Sequence, residues 1–118
     1  MATGYHEPYE ALSPGAREVH RAITSLIEEL EAVDWYHQRA DVTDDPALKA
    51  VLVHNRDEEI EHASMVLEWL RRTVPKFDEE LRTYLFAEGR ITAVEQGGEG
   101  EAQSTSENLG IGQIDKGA

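Results

Sequence analysis

The sequence predicts an all-α fold, an antiparallel two-helix hairpin followed by a short third helix. Three observations carry that prediction. The apolar residues Val19, Ile23, Leu26, Leu30 and Val33 step by four, three, four and three positions, the seam of a helix that packs in a bundle or coiled coil. Two helical segments are each opened by a capping residue and a proline, Ser13-Pro14 and Asp45-Pro46, and proline fits a helix at its first position. No segment alternates apolar and polar residues as a half-buried strand would, and no internal repeat of useful length occurs.

Residues 1–12 form a mixed leader without periodicity. The first helix starts after Ser13 and its pattern fades near Ala40. Asp41-Val-Thr-Asp-Asp-Pro46 is a short connection in which Asp45 caps the second helix. That helix carries Leu48, Leu52, Ala63, Val66, Leu67 and Leu70 and stops near Thr73, ahead of Pro75. A third helix around Phe77, Leu81, Tyr84 and Leu85 opens with Asp78, Glu79 and Glu80, as the helix dipole favours, and is expected to close at Gly89. Ile91 to Val94 extends it weakly. The helical domain thus spans residues 13–96. Residues 97–108 lack any large apolar side chain and read as a flexible linker. Apolar residues return in the terminal segment 109–118, where Leu109, Ile111 and Ile114 stand among Gly110 and Gly112. Two long helices leave an apolar stripe uncovered on each. An obligate homo-oligomer is therefore expected, with two hairpins pairing into a four-helix bundle.

Charge bounds the partners. Among 118 residues 11 are basic and 24 acidic, a net charge of −13 at pH 7. Such acidity excludes nucleic-acid backbones and anionic membranes as partners. No apolar run approaches a membrane span, and no apolar stretch near Met1 marks the chain for secretion, so a cytoplasmic protein is expected. The absence of cysteine excludes disulfides, iron–sulfur clusters and thiolate zinc sites. Cations remain.

The carboxylates are not equivalent. Winding the second helix at about 100° per residue puts Glu59 about 20° from Leu52, inside the apolar stripe, and His62 about 80° away on its flank. Glu58 and Glu61 project outward. On the first helix Glu29 falls about 60° from Leu26, beside Ala22 and Val33. Glu28 and Glu31 face the far side, and Asp34 flanks the opposite edge as a weaker candidate. A turn centred on Asp44 sets Glu29 and Glu59 at one height, to within about one turn of ~5.4 Å. An ionised carboxylate in an apolar seam needs a partner, a hydrogen bond or a metal. Glu29, Glu59 and His62 are the donors of a divalent-metal site, and imidazole with carboxylate favours iron, manganese or zinc over calcium. A dimetal carboxylate bundle takes one Glu from each of two helices and a Glu-x-x-His from each of the others. One hairpin holds half of that set, and two across a twofold axis hold all of it. Metal is then expected to drive assembly.

Other readings stand beside these. Glu59 with His62 is alternatively a buried polar pair that fixes register. Glu28 and Glu31 are either a solvated face or a secondary metal site. Trp35, opposite the seam, packs on the third helix or marks a second subunit interface. Tyr36, on the Glu29 stripe, either fills the core or backs the ligands. His20, His37 and His54 read as structural or surface residues.

Several blocks resemble the encapsulated ferritins: Glu28-Glu-Leu-Glu-Ala-Val-Asp-Trp-Tyr36, His54-Asn-Arg-Asp-Glu-Glu-Ile-Glu-His62, Leu67-Glu-Trp-Leu-Arg-Arg72 and Leu81-Arg-Thr-Tyr-Leu-Phe86. The likeness runs from Ser13 to Val94. It implies a ferritin-like half-bundle whose paired chains form a di-iron ferroxidase centre with Glu29, Glu59 and His62 as ligands. By the same likeness Glu28 and Glu31 form an outer site for calcium or another divalent ion, and Trp35 and Tyr36 lie near the centre or at the subunit contact. It also implies an open ring of dimers without a mineral cavity of its own. Leu109-Gly-Ile-Gly-Gln-Ile114 resembles the terminal peptides that dock cargo into encapsulin shells, so Leu109, Gly110, Ile111, Gly112 and Ile114 are the expected docking residues. The implied activity is oxidation of Fe(II) by O₂ or peroxide, with ferric iron delivered for storage inside the shell. Two alternatives are a di-iron or di-manganese enzyme that consumes peroxide and a non-catalytic helical cargo protein that buffers metal.

Overall fold

The computed structural model describes residues 4–97; most of the linker and all of the terminal segment from Leu109 to Ile114 lie outside the described residues. A single 3-10 turn, Tyr9–Ala11, precedes four α-helices: α1 (Pro14–Val42), α2 (Pro46–Thr73), α3 (Pro75–Tyr84) and α4 (Ile91–Glu95). Among the described residues there is no strand. Among the described residues no helix is long and apolar enough to cross a membrane. The backbone forms two compact units, one ending at Thr73 and one starting at Val74.

The first unit is the α1–α2 hairpin. Ser13 Oγ accepts from the Ala16 amide at 3.1 Å and Pro14 takes the first turn of α1, which satisfies a donor that the helix itself leaves unpaired. At the far end Arg39 stands in the last turn and the Thr43 amide bonds its carbonyl. Asp45 Oδ1 then accepts from the amides of Ala47 and Leu48 at 2.9 and 3.1 Å and starts α2. Caps and turn lie where the sequence puts them. The leader is held to α1: the Arg17 guanidinium donates to the Tyr9 carbonyl at 2.7 Å and lies over that ring, while Tyr5 stacks on His20 at 4.2 Å between centroids.

Burial in the hairpin is thin. Ala40, Ala63 and Leu70 are its buried apolar residues. Two seam residues depart from expectation, since Ile23 and Leu30 are exposed (39% and 53%). An amphipathic stripe is wider than one neighbouring helix can cover. Here α1 turns Ala22, Val33 and Tyr36 inward to half-burial and leaves Leu30 out. On α2 the same geometry exposes Ile60, Met65 and Trp69.

In the second unit, α3 is tied by Lys76–Glu80 and Arg82–Asp78 ion pairs at 2.8 and 2.9 Å. It ends at Tyr84, not at Gly89, and residues 91–95 form a separate helix instead of extending it. Leu85 is extended and Phe86 takes a left-handed φ of 63°. That conformation costs a non-glycine residue roughly 1 kcal/mol. Gly89, at φ 85°, adopts positive φ without that cost and redirects the chain into α4. Val94 is the buried side chain of α4.

Candidate metal centre

Antiparallel helices joined by a three-residue turn bring residues equidistant from the turn to one height. Glu29 on α1 therefore meets Glu59 and His62 on α2. One donor atom from each of the three lies within 4.8 Å of the other two. His62 Nδ1 is 3.4 Å from Glu59 Oε1 and 3.7 Å from Glu29 Oε1. All three side chains are part-buried, with 27% of Glu29, 25% of Glu59 and 42% of His62 exposed.

Electrostatics show what the site lacks. The hydrogen bond between the two carboxyl groups, then burial, then the charge of Glu59, push the Glu29 carboxyl above the usual 4.5. That same bond, helped by His62, holds Glu59 below it. Burial works against the charged form of His62, but the bond to Glu59 and the charges of Glu29, Glu59 and Glu58 outweigh it and raise the imidazole above 6.5. No lysine or arginine contributes to any of these shifts. Two acids and an imidazole compensate one another only partly, and a divalent ion would do so fully.

The donor set fits such an ion. Ligands about 2.1 Å from a metal are separated from one another by about 3.0–4.2 Å, a range that contains both imidazole–carboxylate distances. Carboxylate and neutral imidazole suit iron, manganese or zinc. Among the described residues this is the one group of three or more such side chains close enough to share an ion.

The remaining candidates are spread around it. Glu28 is exposed and Glu31 half-buried, and neither joins a three-residue metal-binding group. Trp35 keeps 51% of its surface exposed. Tyr36 is half-buried beneath the Arg39 guanidinium, 5.7 Å from the ring centroid. Asp34 is exposed. His37 Nδ1 lies 3.2 Å from Arg56, which also bonds Asp57. Glu58, placed outward by helical winding, is exposed, and its Oε1 lies 4.0 Å from His62 Nε2. Helical side chains lean toward the N-terminus, so a residue settles over the one four positions earlier. The four-residue spacing of Glu58 and His62 was the available signal.

Comparison with known proteins agrees with this picture. The profile of the EncFtn-like family matches residues 4–88. The chain is 51% identical over 114 residues to a ferritin-like protein of Thermotoga maritima, covering 97% of this chain and all of that one. It is 53% identical over 120 residues to an encapsulated ferritin-like protein of Rhodospirillum rubrum, covering 92% and 86% of the two chains. An encapsulin nanocompartment cargo protein of Myxococcus xanthus matches at 38% over 73 residues, 58% of this chain and 56% of that one. A crystal structure of a Nitrosomonas europaea protein superposes with a TM-score of 0.72 at 59% identity, covering 75% of this chain and 97% of that one.

Proposed function

The chain belongs to the EncFtn-like family of encapsulated ferritins, and on that footing we propose that it is a ferroxidase whose di-iron centre is completed by a second copy of the chain. The observation that carries the reading is the convergence of Glu29, Glu59 and His62 from two antiparallel helices. Paired across a twofold axis, two hairpins contribute four carboxylates and two imidazoles. Four negative charges then meet two Fe(II) ions, and the exposed apolar residues of each hairpin gain cover. Like carboxylates at 4 Å repel by up to ~4 kcal/mol at an effective dielectric of 20, so Fe(II) draws the halves together. Bound there, two Fe(II) ions supply the two electrons that reduce one O₂ to peroxide or one peroxide to water.

This chain's own residues hold and orient the substrate ions. Glu59 would bridge the two ions, with Glu29 and His62 as terminal ligands. Glu28 and Glu31 on the outer side of α1 gather cations, calcium among them, before they reach the centre. Trp35 and Tyr36 line the contact between chains. The domain limits follow from composition: leader 1–12, helical domain 13–96, linker 97–108 and a terminal segment 109–118 whose Leu109, Gly110, Ile111, Gly112 and Ile114 dock into a shell. The names of the Rhodospirillum and Myxococcus relatives support cargo status. On this reading the protein works as a ring of dimers within a cytoplasmic encapsulin compartment, and ferric iron passes into the lumen.

Aerobic addition of Fe(II), followed by absorbance of the ferric product, tests the activity. Glu59→Ala is expected to reduce oxidation to the rate of free iron in buffer. Binding of Fe(II) without oxidation by the wild type would leave a metal buffer instead. Turnover only with added peroxide would make the protein a peroxide-consuming enzyme. Native mass with and without Fe(II) checks the assembly step, and an unchanged mass in a metal-stripped sample would sink it.

A further inference from the structure

Resting on the reading of Glu29, Glu59 and His62 as metal ligands, we propose that Glu58 is a positioning residue: its carboxylate claims the outer nitrogen of His62 and presents Nδ1 to the Glu29–Glu59 pair, while His54 braces Glu58 from behind.

Both ring nitrogens of His62 face carboxylates. Nδ1 is 3.4 Å from Glu59 and 3.7 Å from Glu29, and Nε2 is 4.0 Å from Glu58 Oε1. The second oxygen of Glu58 lies 3.8 Å from His54 Nε2. One carboxylate therefore stands between two imidazoles, with an oxygen at ion-pair distance from each. His54, Glu58 and His62 are four residues apart and form one row along α2. The row matters because within one chain packing does not hold His62. With 42% of the side chain exposed, a half-turn of the ring would carry Nδ1 away from the acids at little steric cost. Such a flip also removes Nε2 from Glu58, so both contacts resist it. For Nδ1 to ligate, the ring proton must reside on Nε2, and a carboxylate is the acceptor that keeps it there and makes the ring a better donor. Glu61, three residues after Glu58 and exposed, lies about 100° from His62 around α2 and serves as the control.

Titration of the metal-stripped full chain with Co(II) under anaerobic conditions, read by visible absorption, tests the inference without turnover. Loss of such a supporting carboxylate weakens metal binding by about tenfold or more, and Glu58→Ala is expected to do so. Glu58→Gln keeps an acceptor oxygen for the Nε2 proton and should recover most of the affinity. His54→Ala should weaken binding less than Glu58→Ala, and Glu61→Ala not at all. Wild-type affinity in Glu58→Ala overturns the proposal. So does equal weakening by Gln and Ala, since general charge attraction would then account for the effect. Glu59→Ala separates the two levels. If it binds Co(II) as the wild type does, the metal-centre reading fails and this inference with it. If it loses binding while Glu58→Ala does not, only this inference fails.

Discussion

Two acidic sites on α2, nine residues apart, behave in opposite ways. Glu68 accepts from Arg71 at 2.7 Å and from Arg72 at 2.6 Å, and those bonds hold its carboxyl down at about 2. Glu59 faces Glu29 and His62, and the strain of gathering two acids appears as a raised Glu29. The helix and the residue type are the same, and both side chains are partly exposed. What differs is the compensating charge. At Glu68 the protein supplies it in full, so the site is a structural ion pair. At Glu59 the protein supplies only an imidazole, and the site is complete when a cation arrives. A short distance between charged groups says little about function until the balance around it is known.

The sharpest way to break this comparison is to remove each acid. Glu59→Ala should abolish Fe(II) oxidation, whereas Glu68→Ala should leave the rate per folded molecule unchanged, both read by ferric absorbance. Converting one site into the other comes next. Glu29→Arg places a guanidinium against Glu59, as Arg71 stands against Glu68. The metal-free variant should melt above the metal-free wild type, and added Co(II) should no longer raise its melting temperature.

pH separates the sites more gently. Binding must displace protons from Glu29 and His62, both raised, so metal affinity should climb with pH and continue to climb above 6.5. In the metal-free protein the stabilising contribution of His62 is fully present below 6.5 and is lost as pH rises through its elevated folded-state value. Glu68 runs the other way. Its contribution is present above 4.5 and is lost only as pH falls toward about 2. Carboxyl NMR titration should find the Glu68 midpoint near 2 and that of Glu29 above 4.5. The smallest effect is a control on both regions. Ser13→Ala removes the α1 cap at a cost of about 1 kcal/mol in chemical denaturation and should leave metal affinity unchanged.

Much of this was legible in the sequence. Ser13-Pro14 and Asp45-Pro46 mark where α1 and α2 begin, because capping and proline geometry are local. Glu29 and Glu59 could be paired before any coordinates, since helical rise and a short turn fix which residues share a height. Three features were not legible. Leu30 fits the seam yet stands in solvent, because the width of a stripe does not say how much of it one neighbour covers. The third helix stops at Tyr84, because a left-handed Phe86 is a conformation that no propensity favours. Glu58 is exposed, as winding has it, and the four-residue spacing to His62 does not say that the two side chains come within 4.0 Å, because side-chain tilt lies outside a helical wheel.

Taken alone, then, the sequence determined the helices, their antiparallel pairing, the level of the metal-binding residues and the surplus of negative charge. Each follows from backbone periodicity, local capping or simple counting. The pairing of Glu68 with Arg71 and Arg72 is local, three and four residues on along one helix. Only the tertiary structure decided what stands against Glu59, because Glu29 comes from the other helix and the last few ångströms between them depend on where long side chains come to rest. Coulomb energy is steep over that range, and sequence spacing is blind to it.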